Sequence, residues 1–133
     1  MKKVRFNKHR AFFYSKALFR GRDWDGNVIE VKNPVYTVGI REFTEDLGYQ
    51  GLLNATEFPC LITTDINTAL SVFREKRAAN YTGTNGDDSI FAFRWAYMTV
   101  SEMGVENSSH NLLGCYVVKD KPDEDEDDDV DED

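Results

Sequence analysis

The sequence predicts an α+β domain: a mostly antiparallel sheet with one main helix, followed by a disordered acidic C-terminal tail. Three observations carry that expectation. Short runs of β-branched and aromatic residues recur along residues 1–118, separated by turn-forming Gly, Asn, Asp and Pro. Only residues 66–81 combine a plausible cap with apolar residues at helical spacing. From residue 119 onward the chain is almost entirely charged and has nothing to bury. A single domain over 1–118 and a tail over 119–133 follow, and a partly closed barrel is compatible with the same order of elements.

Residues 4–20 read as one extended stretch, with Ala11, Phe13, Ser15, Ala17 and Phe19 on one face and Phe12, Tyr14, Lys16, Leu18 and Arg20 on the other. Asp25-Gly26 is the pair favoured in two-residue hairpin turns, so residues 27–32 should return against that stretch. Asn33-Pro34 interrupts the ladder, because proline has no amide to donate. Residues 35–43 form the next strand, with Tyr36, Val38 and Ile40 alternating against Thr37, Gly39 and Arg41. Residues 44–57, with Gly48, Gly51 and several acids, read as a loop holding one helical turn.

Residues 58–64 are a short apolar strand. Asp65 then caps the helix, in which Ile66, Ala69, Leu70 and Phe73 share a face. Arg74, Lys76 and Arg77 sit where the helix dipole favours cations. Residues 82–88 are turn-forming, and 89–100 is the clearest strand in the chain. Its rings Phe91, Phe93, Trp95 and Tyr97 fall on one face, opposite Ile90, Ala92, Arg94, Ala96 and Met98. Four rings could offer a stacking platform, but burial against the helix is the expected outcome, leaving Arg94 to solvent. Residues 101–111 are polar, and 111–118 form a last strand.

No run is long and apolar enough to cross a membrane, and no small-residue cleavage site follows the basic N-terminus, so a cytoplasmic location is expected. Cys60 and Cys115 lack any metal-ligand or redox spacing and are expected to be buried reduced thiols. His9 and His110 stand apart from each other and from the cysteines, so neither a metal nor a cofactor is called for. Gly83-Thr84-Asn85-Gly86 lacks the Lys-Ser/Thr of a phosphate-binding loop and follows a helix instead of preceding one. No serine sits in a nucleophile-elbow sequence, and no pattern nominates a catalytic group.

The net charge of −8 conceals a strong asymmetry. Eight cations and no acid occupy residues 1–22, while eleven carboxylates crowd residues 120–133. In the head, Arg5, Lys8, Arg10, Lys16, Arg20 and Arg22 are interleaved with Tyr14, Trp24 and further rings. Cations that track phosphates and rings that stack on bases are the ingredients of single-stranded nucleic-acid binding. Edge-strand protection by Lys and Arg is the competing explanation, but eight positive charges exceed that need. The tail could compete with phosphates for the basic head.

This layout resembles that of prokaryotic and phage single-stranded DNA-binding proteins, in charge distribution only. Such tails usually end in an aromatic or apolar residue that partners recognise, whereas this one ends Val130-Asp131-Glu132-Asp133. The expectation is a non-enzymatic nucleic-acid-binding accessory protein of viral type, with Arg5, Lys8, Arg10, Lys16, Arg20 and Arg22 on phosphates and Tyr14 and Trp24 on bases. Its partner would be single-stranded DNA or RNA. The alternative is an acidic inhibitor or adaptor that mimics nucleic-acid charge toward a nucleic-acid-processing enzyme. A small enzyme comes third.

Overall fold

A computed structural model describes residues 1–46, 51–84 and 90–114. Two antiparallel sheets and one helix enclose a shared core. The first sheet is a meander in the order β1 (Lys2–Asn7), β2 (Arg10–Ser15), β3 (Leu18–Arg22), β4 (Val28–Lys32). The second has the order β6 (Gly51–Thr63), β5 (Pro34–Asp46), β8 (Ile90–Glu102), β7 (Tyr81–Thr84), with β9 (His110–Leu113) also paired to β8. Among the described residues neither sheet closes into a barrel, because each ends on strands with one neighbour.

The stretch 4–20 is not one strand. It is folded twice, through turns at Lys8-His9 and Lys16-Ala17. The second turn pairs Ser15 with Leu18, so both lie on the same face. Alternation restarts there with opposite parity. Phe19 therefore joins Phe12 inside instead of Phe13 outside, and the Phe12 and Phe19 rings pack at 5.4 Å with a tilt of 46°. The return strand does pair with β3, from Val28 to Lys32. Its turn is wider than two residues: Asp23 accepts from the Asn27 amide through Oδ1 at 2.9 Å, and Gly26 takes a positive φ of 91°. At Asn33, φ 48°, the chain swings into the second sheet, and Pro34 opens β5 where its missing amide is least needed.

The expected loop over 44–57 is largely strand. β5 runs on to Asp46 and β6 begins at Gly51, the two pairing from Tyr36–Thr63 to Asp46–Gly51. Cross-strand hydrogen bonding outweighs the turn-like composition there; the residues between lie outside the described ones. β7 likewise takes the start of the expected 82–88 loop, pairing Tyr81 to Thr84 with β8. Residues 85–89, the strand residues expected over 115–118 and the tail also lie outside.

Helix α1 (Ile66–Arg77) is capped by Asp65, which accepts from the Asn67 amide at 3.0 Å and from the Thr68 hydroxyl at 2.7 Å. It buries Ile66, Ala69, Leu70 and Phe73. It ends earlier than expected: Ala79 and Asn80 donate back to Lys76 and Arg77, and the Asn80 side chain takes the Ala96 amide at 2.8 Å. Side-chain capture by β8 stops the helix short of Tyr81.

The shared core joins Val4, Phe6, Phe12, Phe19 and Val31 of the first sheet to Tyr36, Val38, Ala96, Met98, Val100, Leu112 and Leu113 of the second, with the helix face between. The small-residue face of β8 thus meets the core, contrary to the expectation that its rings would pack on the helix. Phe93, Trp95 and Tyr97 are buried all the same, on the opposite face; the Phe91 side chain lies outside the described residues. Ala96 and Met98 let the helix approach closely, where a row of rings would hold it away. Arg94 is exposed as expected and pairs with Glu42 at 3.0 Å. Cys60 is a free thiol but exposed, because it lies on edge strand β6 where the register shifts between Leu61 and Pro59.

Candidate nucleic-acid interface

The turn at Lys16-Ala17 decides what the first sheet shows to solvent. Registration places Lys3, Phe13, Arg20 and Glu30 side by side across all four strands. Arg5 beside Ala11, and Arg22 beside Val28, share that face. Phe13 keeps 38% of its surface exposed, although a ring of this size normally has a partner to bury it. The Arg20 guanidinium lies 5.8 Å from the Phe13 centroid, and its ion pair with Glu30 is long, at 3.9 Å between half-exposed side chains. Such a pair is worth about 0–1 kcal/mol and yields readily to a competing anion. Arg22 is aimed by the β3–β4 loop, donating to the Gly26 carbonyl at 2.8 Å. A shallow cavity of about 340 Å³ runs between Phe13 and Val28, rimmed by Arg20 and Arg22.

The expected binding residues divide into two groups. Arg5, Arg20 and Arg22 share the outer face, while Lys8 and Lys16 are exposed in the turns at its opposite ends. Tyr14 and Trp24 do not join them, and Arg10 lines the cavity with Arg20 and Arg22 while its guanidinium is held by backbone carbonyls. The Arg10 guanidinium bridges the Asp23 and Leu112 carbonyls at 3.2 and 3.3 Å and lies 5.6 Å over the Trp24 ring. The Trp24 amide donates to Asn111 at 2.7 Å, so this group clamps β9 to the first sheet. Tyr14 packs against the core, and its hydroxyl accepts from the Asn67 amide group at 2.9 Å.

Sequence reasoning missed Phe13 and Lys3. The signal for Phe13 was the two-residue spacer at Lys16-Ala17: a break in the alternation between two apolar runs marks a hairpin, and a two-residue hairpin inverts the phase.

The second sheet's outer face offers a contrasting environment. Arg41 is 6% exposed, stacked 4.3 Å over the Tyr97 ring and bonded to Glu57 at 2.8 Å. Tyr97 crosses over Gly39, where a Cβ would come within 2.8 Å of the hydroxyl. Burial, and next the Glu57 charge, push that hydroxyl above its ordinary pKa, against the opposing pull of Arg41. Among the described residues, no three His, Cys, Asp or Glu side chains gather as a metal would need. No helix among them is long and apolar enough to cross a membrane. Comparison with protein-family models, curated proteins and solved structures finds no match.

Proposed function

We propose that the outer face of the first sheet binds single-stranded nucleic acid, and that the protein is a cytoplasmic accessory factor without an enzymatic role. One observation carries this reading: an exposed ring, Phe13, set at the centre of a sheet face among Lys3, Arg5, Arg20 and Arg22, with Glu30 as the carboxylate in its row. A base stacks on Phe13 and the flanking phosphates meet the guanidinium groups. Stacking requires an unpaired base, which excludes the interior of a duplex. Residues 120–133, with eleven carboxylates, compete for the same cations when held at high local concentration.

The test is titration of labelled single-stranded DNA and RNA with the full chain and with a chain lacking residues 120–133. Binding should weaken with salt, and the truncated chain should bind more tightly, most clearly at low salt. If neither chain binds at low salt, the reading fails. Retention of a nucleic-acid-processing enzyme by the full chain, abolished by removing the tail, would then favour the acidic inhibitor.

A further inference from the structure

We infer that the cavity beside Phe13 is a pocket for a single nucleotide, in which one base enters between Phe13 and Val28 while its phosphate meets Arg20 and Arg22. The inference rests on the reading above and deepens it, from a strand lying on a sheet face to one nucleotide held in a cleft. It starts from a break in the ladder. β2 and β3 are in register only from Ser15–Leu18 to Phe13–Arg20, although β2 reaches back to Arg10 and β3 runs on to Arg22. Their other neighbours do not stop there. β1 stays paired with β2 as far as Arg10, and β4 with β3 as far as Arg22. The first sheet is therefore split along its middle at this end, and the cavity of about 340 Å³ lies at the split.

The split is held open and closed off below. Arg10 spans it, donating to the Arg22 and Asp23 carbonyls at 3.5 and 3.2 Å and to that of Leu112 at 3.3 Å. On the core side, a Cβ at Gly21 would lie 2.8 Å from the Phe12 ring and 3.1 Å from that of Phe19. Core rings fill that side, so the cleft opens to solvent alone. A local irregularity filled with water is the ordinary explanation of such a gap. It does not account for the lining, which combines three arginines with the apolar Ala11, Phe13 and Val28 and includes no carboxylate. A bare anion would leave the apolar walls uncovered, and an apolar ligand would leave the cations unused. A nucleotide joins a flat ring to a phosphate and meets both. Arg20 and Arg22 are two residues apart on one face of β3, hence about 7 Å apart along the strand, and can reach one phosphate from two sides. The volume is near the lower end of the roughly 300–1,000 Å³ usual for small-molecule sites, which suits one nucleotide and not a run of them.

The experiment displaces a labelled oligothymidylate of about 12 nucleotides from the full chain at constant ionic strength. The competitors are thymidine 5′-monophosphate, thymidine and inorganic phosphate. The monophosphate should displace at a concentration at least about tenfold lower than either other competitor, because its base and phosphate bind as one linked unit. Ala11→Leu fills the cleft while keeping Phe13 and all three arginines. It should raise the monophosphate concentration needed by about tenfold and weaken oligonucleotide binding. If Ala11→Leu folds poorly, Val28→Ala, at a position 64% exposed, removes one wall and should raise that concentration about threefold. Two results would overturn the pocket and leave the sheet-face reading intact: displacement by inorganic phosphate as effective as by the monophosphate, or wild-type oligonucleotide binding by a folded Ala11→Leu chain. Failure of the wild-type chain to bind the oligonucleotide, with no shift of the Val28 methyl resonances on adding the monophosphate, removes both.

Discussion

The two sheets present outer faces of opposite character, though each carries aromatic and cationic side chains in register. On the first, Phe13 stands exposed beside Arg20, whose guanidinium is half in solvent. On the second, Tyr97 is 2% exposed, and Arg41 lies 4.3 Å over its ring and is almost as deeply buried. The second face is richer in rings and so the better platform by composition, yet its rings are inaccessible. Gly39 makes the difference. Lacking a Cβ, it lets Tyr97 lie across β5, and Arg41 and Glu57 then close over the ring. On the first face the cross-strand neighbours of Phe13 are Lys3 and Arg20, and neither closes over the ring, which stays exposed. Ring count does not make a binding surface; whether a neighbour can fold over the ring does.

The sharpest way to break this contrast is to compare adjacent residues. Phe12→Ala should cost about 3–5 kcal/mol in chemical denaturation, since Phe12 is fully buried. Phe13→Ala should cost less than about 1 kcal/mol of stability but weaken single-strand binding by about 1–3 kcal/mol. Equal stability losses at the two positions would mean that Phe13 belongs to the core.

Gly39→Ala comes next. A Cβ there would lie 2.4 Å from the Phe58 carbonyl oxygen and 2.9 Å from the Pro59 Cα, both backbone atoms that cannot simply rotate away. A loss of about 1–3 kcal/mol is expected. Tyr97 fluorescence or its NMR shifts should report the displaced ring, while binding at the first sheet stays unchanged. An unperturbed Tyr97 would show that Gly39 does not seat it.

Alkaline titration sharpens the burial argument. Burial first, then Tyr14 and Asp65, push the Tyr36 hydroxyl well above its ordinary range. The unfolded chain releases that proton at about pH 10, before the folded one does. The stability this provides is complete below about pH 10 and declines as pH rises beyond it. Tyr36→Phe should flatten the decline, and the raised Tyr97 should keep part of it. An identical alkaline limb in the variant would mean that Tyr36 does not contribute.

The smallest effect is expected at Glu30. Glu30→Gln breaks a long, exposed ion pair, so stability should move by no more than about 0.5 kcal/mol. Oligonucleotide binding should tighten, because a carboxylate leaves the Phe13 row. Unchanged or weaker binding would argue that nucleic acid does not pass Arg20.

Much of the fold was legible locally. The Asp65 cap, the start of α1 and its buried face depend on neighbours within one or two turns, and sequence spacing expresses them directly. The alternation of Tyr36 and Val38, the break at Asn33-Pro34 and the charge division between head and tail are also properties of the chain itself. So is the basic character of Arg5, Arg20 and Arg22, which the meander collects on one face. What tertiary structure decided was accessibility. A two-residue turn reversed parity and exchanged Phe13 for Phe19 at the surface. Pairing with β5 and β8 made strands of residues whose composition reads as loop. The clamp to β9 engaged the Arg10 guanidinium and the Trp24 ring, and the helix engaged the Tyr14 hydroxyl. Each outcome depends on a partner distant in sequence, and a side chain's exposure is fixed by what packs over it, which no local pattern records.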